Sequence, residues 1–431
     1  MYDAWCGLTL YSQTEDSVLA GFAALWRDWE SGREDKRLLR HRAGVLVKRL
    51  LDTATEYGFD GDLWQNYLTF LLVSTVHSFG LAAERTGTAE GTINEIAKAD
   101  LAIFLRLFHW DFTPMEKDLG LPVLSLLRSY RAVPKREQLF NRDISECVRA
   151  LSARLAAAGD ADEAFVLMND HYRRFGTGLF GMNRAFRVRK GTELTFEPIR
   201  NVDLVTLNDL IGYELHKQAL CDNIEAFVSG RPFNNTLLYG DAGTGKSTMV
   251  KAVLNEYWQR GLRMIEVNKY QFSLLNEIIA RVKTRKYCFV LLLDDLSFDD
   301  GDAEYKYLKA VIEGGLETRP DNVMICATSN RRHLIKETWK DKSDMEFAND
   351  VHQSDTMEEK LSLAARFGCA IRFSAPDRKL FERIVRELAA RRPELQYDEK
   401  ELLLLASRWE IRHGGLSGRT ARQFINSLPG K

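Results

Sequence analysis

Two spacings of apolar residues divide this chain. Up to about residue 190 they recur every three to four positions, the stripe of helices packed against one another. Segments near 16–30, 36–57, 63–83, 92–108, 143–158 and 161–174 each carry such a stripe. In one of them Ile93, Ile96, Ala97, Leu101, Phe104, Leu105 and Phe108 share a face. Gly58-Phe59-Asp60-Gly61, Pro114, Pro122 and Gly159-Asp160 supply the stops. Past Pro198, short apolar runs alternate with helical stretches, the pattern of a parallel sheet with crossover helices. The predicted strands are Thr236–Tyr239, Met264–Val267, Cys288–Leu293, Val323–Ala327 and Ala370–Phe373. Lys340–Asp355 is polar and aperiodic and reads as a mobile surface loop. Three helical segments, near 377–391, 398–412 and 418–428, close the chain as a small bundle. The pattern predicts an all-α N-terminal domain over 1–190, an α/β core over 191–375 and a helical C-terminal domain over 376–431.

Bulk composition narrows the classes. The 431 residues hold 60 Lys and Arg against 61 Asp and Glu, a net charge of −1, so no global field draws the chain to nucleic acid or anionic lipid. The six cysteines are scattered without metal-ligand spacing, which fits a reducing compartment and no structural zinc. Leu63 to Ala83 lacks charge, but Gln65, Asn66, Thr69, Ser74, Thr75, His77 and Ser78 suit a buried bundle helix better than a membrane span. The opening Met1-Tyr2-Asp3-Ala4-Trp5 has no basic-then-apolar signal pattern. A cytoplasmic protein is expected. One stretch is locally basic, Tyr172 to Lys190, where six cationic side chains interleave with Tyr172, Phe175, Phe180 and Phe186. It could follow a nucleic-acid backbone; an amphipathic connector is the plainer reading.

Gly240-Asp241-Ala242-Gly243-Thr244-Gly245-Lys246-Ser247 carries the chemistry, since it fits G-x-x-x-x-G-K-[ST] between a predicted strand and a predicted helix. Glycines let successive N–H groups converge on phosphate oxygens, and the helix N-terminus adds positive potential. Lys246 would bridge the β- and γ-phosphates of a nucleoside triphosphate, while Ser247 would hold Mg²⁺. Thr248 completes the binding stretch. Phe289 to Leu293 then delivers Asp294 and Asp295 to a strand's C-terminal end. Asp294 would hold the metal shell, and Asp295 could polarise the attacking water. The strand Val323–Ala327 runs into Thr328-Ser329-Asn330, whose amide could reach between water and γ-phosphate.

These blocks together resemble the AAA+ class of P-loop ATPases over about 195–431. The implied fold is a parallel sheet sandwiched by helices, with a C-terminal helical lid. The chain is also similar to one bacterial AAA+ family known as a domain of unknown function. That likeness rests on Asp209-Leu210-Ile211-Gly212-Tyr213-Glu214, Leu293 to Phe298, Ala327 to Leu334, Ser417 to Phe424 and the N-terminal Tyr172 to Phe180. The resemblance implies that Ile211 and Gly212 wrap the adenine and that Asn330 reads the γ-phosphate. It implies that Arg366 is the arginine finger entering a neighbouring subunit, with Arg331 or Arg332 as alternatives. Arg419 would couple the lid to nucleotide state, with Arg422 in reserve. Two departures stand out. Asp295 replaces the usual Glu, so hydrolysis could be slow. The aromatic-glycine loop of unfoldases is absent after Val267, although Tyr270 or Phe272 could substitute.

The expected activity is Mg-dependent ATP hydrolysis in a homo-oligomer, driving remodelling of an unknown protein partner through the N-terminal domain. The alternatives are a slow ATP-dependent switch and a nucleic-acid-associated helper similar to AAA+ helicase loaders.

Overall fold

Ser17, Asp35, Asp62 and Asp160 each accept a backbone N–H from the first turn of a helix that follows them. Such caps satisfy donors that a helix leaves unpaired. They start the helices Val18–Ser31, Lys36–Tyr57, Leu63–Ser74 and Ala161–Phe175. Gly32 and Gly58 end the first two in left-handed conformations. The computed structural model describes residues 1–12, 16–86, 90–132, 142–298, 304–314, 320–330, 363 and 365–429. Arg331, Arg332 and the loop Lys340–Asp355 lie outside the described residues.

Two units divide the chain: Met1–Asn183 with Pro198–Asn201, and Arg184–Glu197 with Val202–Lys431. Among its described residues the first is mainly helical, packed around an aromatic core that includes Phe22, Trp64, Phe104 and Phe108. The single helix expected over 63–83 is in fact two, Leu63–Ser74 and Ser78–Thr86. Thr75 turns extended between them, and His77 Nδ1 accepts the N–H of Gly80 at 3.1 Å, starting the second helix. Among the described residues no helix is long and apolar enough to cross a membrane. Buried Asp100 ties the first turn region to the bundle by accepting the N–H groups of Thr9, Leu10 and Tyr11.

The second unit is built on a seven-stranded sheet. Its strands are β1 (Ala185–Lys190), β2 (Leu194–Pro198), β3 (Thr236–Gly240), β4 (Leu262–Glu266), β5 (Cys288–Leu293), β6 (Val323–Ser329) and β7 (Cys369–Phe373). They lie in the order β2-β1-β4-β5-β6-β3-β7, and β4, β5, β6, β3 and β7 run parallel. β3 is inserted between β6 and β7, with Leu237 opposite Ala327 and Leu238 opposite Ile371. β5 and β6 are buried along nearly their whole length, as strands covered on both faces must be. This is the parallel sheet that the sequence pattern predicts, with the strand that leads into the glycine-rich loop set inside it.

β1 and β2 correct the reading that residues up to 190 are helical. Ala185, Phe186 and Val188 are buried while Arg187, Arg189 and Lys190 are exposed, and β1 pairs parallel with β4. The stretch is too short for its alternation to outweigh the helical stripes before it.

After β7 come the lid helices Arg378–Ala390, Glu399–Arg412 and Gly418–Ser427. Phe381, Ile384, Val385, Leu402, Phe424 and Ile425 form their core, and Ile211 belongs to the same cluster. A residue far upstream thereby joins the lid.

Candidate active site

The phosphate loop bends where glycine alone can follow. Gly240 has φ 127°, and a Cβ there would sit 1.9 Å from the Phe373 carbonyl oxygen on β7. That close approach lets Asp241 N–H donate to the same oxygen at 2.9 Å. The Asp241 carboxylate in turn accepts Ala375 N–H at 2.6 Å. Gly243, at φ 74°, gives its carbonyl to the N–H of Arg419 at 3.2 Å. The loop is therefore fastened to the end of β7 and to the last lid helix. Met249, Val250, Val253 and Leu254 bury one face of the helix Lys246–Tyr257 that follows.

Because β6 lies between β5 and β3, three strand ends meet at this loop. Lys246, 6% exposed, donates from Nζ to Gly240 O at 3.0 Å, Asp241 O at 2.7 Å and Asn330 Oδ1 at 3.0 Å. Burial lowers its pKa, while the carboxylates of Asp241, Asp295 and Asp294 oppose that shift. Ser247 Oγ donates to Asp294 Oδ1 at 2.5 Å. Asn330 Nδ2 donates to Asp295 Oδ1 at 2.7 Å. Asp295 itself has φ 53°, the left-handed region that Asp and Asn enter more readily than longer side chains. The Ser247 hydroxyl and the Asp294 carboxylate form the oxygen pair that Mg²⁺ favours.

A cavity of about 530 Å³ opens over these groups. Its walls include Ile211, Gly243 to Thr248, Asp294, Asp295, Asn330 and Arg419. Gly212, Gly240, Asp241 and Ala242 are not part of the wall. They shape the backbone behind it, and a Cβ on Gly212 would meet Leu380 at 2.6 Å. Arg366 also stands away from the cavity, its guanidinium paired with Glu313. Both Arg419 and Arg422 line the wall, so position alone does not separate them.

Sequence reading overlooked several wall residues: Leu210, Tyr213, Thr328, Ile384, Leu388, Gln423 and Asn426. Thr328 carried a usable signal, being two residues before Asn330 and so on the same strand face. The lid residues carried none, because their place depends on how three helices fold back.

Two further expectations meet the structure here. Of the aromatic pair after β4, Phe272 is buried and Tyr270 is 76% exposed, so only Tyr270 is placed to touch a partner. In the basic stretch, Arg187 pairs with Glu266, Arg189 with Glu197 and Arg173 with Asp170. Arg184 lies over the Trp258 ring. These pairings offset much of the positive charge that the sequence displays.

Residues 181–431, more than half of the chain, match the family described as "Protein of unknown function (DUF815)". The replication factor C large subunit of Methanococcus vannielii is 34% identical over 84 residues, covering 19% of this chain and 16% of that protein. Its counterpart in Staphylothermus marinus is 29% identical over 112 residues, covering 24% and 26% respectively. The chain thus spans about a quarter or less of these relatives. Among solved structures, the Thermotoga maritima RuvB Holliday junction branch migration motor aligns at 14% identity with a TM-score of 0.36, over 52% of this chain and 63% of that one.

Proposed function

The chain belongs to the DUF815 family, and from that premise we propose that it is a Mg-dependent ATPase whose cycle moves the lid and the helical unit against a protein partner. One observation carries the reading: two sets of hydrogen bonds, Ser247 to Asp294 and Lys246 through Asn330 to Asp295, meet beneath a cavity of small-molecule size. Phosphate oxygens are stronger acceptors for Lys246 than the neutral carbonyls it now meets, so a triphosphate would be gripped at this ammonium. Ser247 and Asp294 would hold Mg²⁺, which supplies charge neutralisation at the phosphates. Asp295 would orient water, and the Asn330 amide bonds both it and Lys246. Ile211 would meet the base. Arg419 would report nucleotide state to the lid, since its own N–H already touches Gly243. Arg366 would act on a neighbouring copy's site, which makes the working form a homo-oligomer.

The test is ATP turnover by the purified full chain with Mg²⁺. Lys246→Ala should abolish it; unchanged turnover in that variant would sink the reading.

A slower, switch-like use of the same site is favoured by the Asn330–Asp295 hydrogen bond, which occupies the shorter acid that replaces Glu. Retained ATP binding with turnover no faster than spontaneous lid opening would select it. A nucleic-acid helper fits less well, because the basic stretch is largely paired with acids.

A further inference from the structure

Thr328 lies near the end of β6, 2% exposed and outside every role assigned above. Its Oγ1 donates to Asp294 Oδ1 at 2.5 Å and accepts the backbone N–H of Asp295 at 2.9 Å. A hydroxyl has one proton and two lone pairs, so it satisfies both contacts at once. A single atom on β6 thereby ties together the two consecutive acids that end β5. The backbone supports the arrangement: Leu296 N–H donates to Thr328 O at 2.7 Å, and Ser329 Oγ donates to Leu296 O at 2.7 Å.

Each acid needs that tie for a different reason. Asp294 Oδ1 receives the protons of both Ser247 and Thr328, which fixes the carboxylate about its side-chain torsions and aims it at the phosphate-loop helix. Asp295 sits in a left-handed conformation, which a residue with a side chain adopts only at a cost. Its N–H bond to Thr328 and its carboxylate bond to Asn330 hold it there from both ends.

We propose that Thr328 is a positioning residue that sets Asp294 on the metal side and Asp295 on the water side in one register. The assignment rests on the ATPase reading of the same site. Thr328 acts through the two acids, and its methyl group has only a packing role.

The experiment uses the full chain with Thr328→Val, which keeps shape and strand preference but removes the hydroxyl, and Thr328→Ser, which keeps the hydroxyl. ATP turnover is measured across Mg²⁺ concentration. Binding of a fluorescent ATP analogue is measured with Mg²⁺ and with EDTA. Loss of a group that orients metal ligands costs roughly 10–100-fold in metal affinity or activity. The Val variant should fall by that order in turnover, need more Mg²⁺ for half-maximal rate, and bind the analogue in EDTA like the parent. The Ser variant should remain within about threefold of the parent in all three. A Val variant with parental turnover and Mg²⁺ dependence overturns the proposal, as does a Ser variant as impaired as Val. If the Val variant does not fold, Thr328→Ala takes its place. If the parent shows no turnover, the ATPase reading fails by itself. Thr328 is then decided by the Mg²⁺-linked gain in analogue affinity, which the Val variant should lose and whose retention overturns the assignment.

Discussion

The side-chain nitrogen of Asn330 donates to Oδ1 of Asp295 at 2.7 Å, while its oxygen accepts from Lys246 at 3.0 Å. One amide thus joins the lysine proposed to grip phosphate to the acid proposed to orient water. Removing a pre-aligned donor at a reacting centre costs on the order of 10²–10³ in rate. Asn330→Ala should lower ATP turnover by about that factor with little change in ATP affinity. A change in affinity alone, measured by analogue binding, would move Asn330 from chemistry to binding.

Asp295→Asn keeps the left-handed preference and the size of the side chain, so it should bind ATP and fail to turn it over. Asp295→Glu places a longer side chain at φ 53°, where Glu is less at ease than Asp. Its turnover should therefore not exceed the parent's. A rate several times the parent's would show that reach, not backbone conformation, limits this acid.

Gly240→Ala tests the attachment of the phosphate loop to β7. A Cβ at 1.9 Å from a backbone oxygen cannot be relieved by a side-chain rotation. The strand end must move, at a cost of at least ~2 kcal/mol. A lowered melting temperature together with lost analogue binding is expected. Normal melting and binding would mean that the loop does not need this approach.

Arg366 is a subunit-crossing test. An arginine finger is worth about 10³–10⁵ in rate, so Arg366→Ala should be nearly inactive. Mixing it with Lys246→Ala should restore turnover, because some interfaces then combine an intact lysine site with an intact arginine. No restoration in mixed oligomers would remove Arg366 from a trans role. It would leave its pair with Glu313 as a stabilising contact.

His77 gives the helical unit a pH dependence. Its Nδ1 accepts from Gly80 N–H, so the neutral ring carries its proton on Nε2, 3.3 Å from the Tyr172 hydroxyl. Burial pushes its pKa down to about 4, below the ordinary value of 6.5. Between those values the unfolded chain binds a proton that the folded chain refuses, so stability rises with pH. It should fall as pH drops from 6.5 to 4, by up to about 3 kcal/mol, and level off below 4. Chemical denaturation across that range, compared with His77→Gln, checks it: the variant should lose this slope.

Several parts of the molecule are legible without coordinates. The five central strands, the phosphate loop and the two acids are each written in a few consecutive residues, as short apolar runs, a glycine-rich motif ending in Lys-Ser, and a pair of carboxylates. The break in the helix over 63–83 is harder to read, since His77 meets Tyr172 and Thr75 meets Thr177, both distant in the sequence. β1 is hidden for a related reason: its alternation becomes meaningful only beside β4.

By itself the sequence determined which chemical groups this protein owns: a lysine after a glycine turn, paired acids at a strand end, and an amide on the next strand. The tertiary structure decided which of them meet. Setting β6 between β5 and β3 brought Thr328 to both acids and Asn330 to Lys246, and folding the lid back brought Arg419 to Gly243. Those contacts join residues from 33 to 176 positions apart. Their formation depends on crossover connections and on packing of whole elements, which no local spacing encodes.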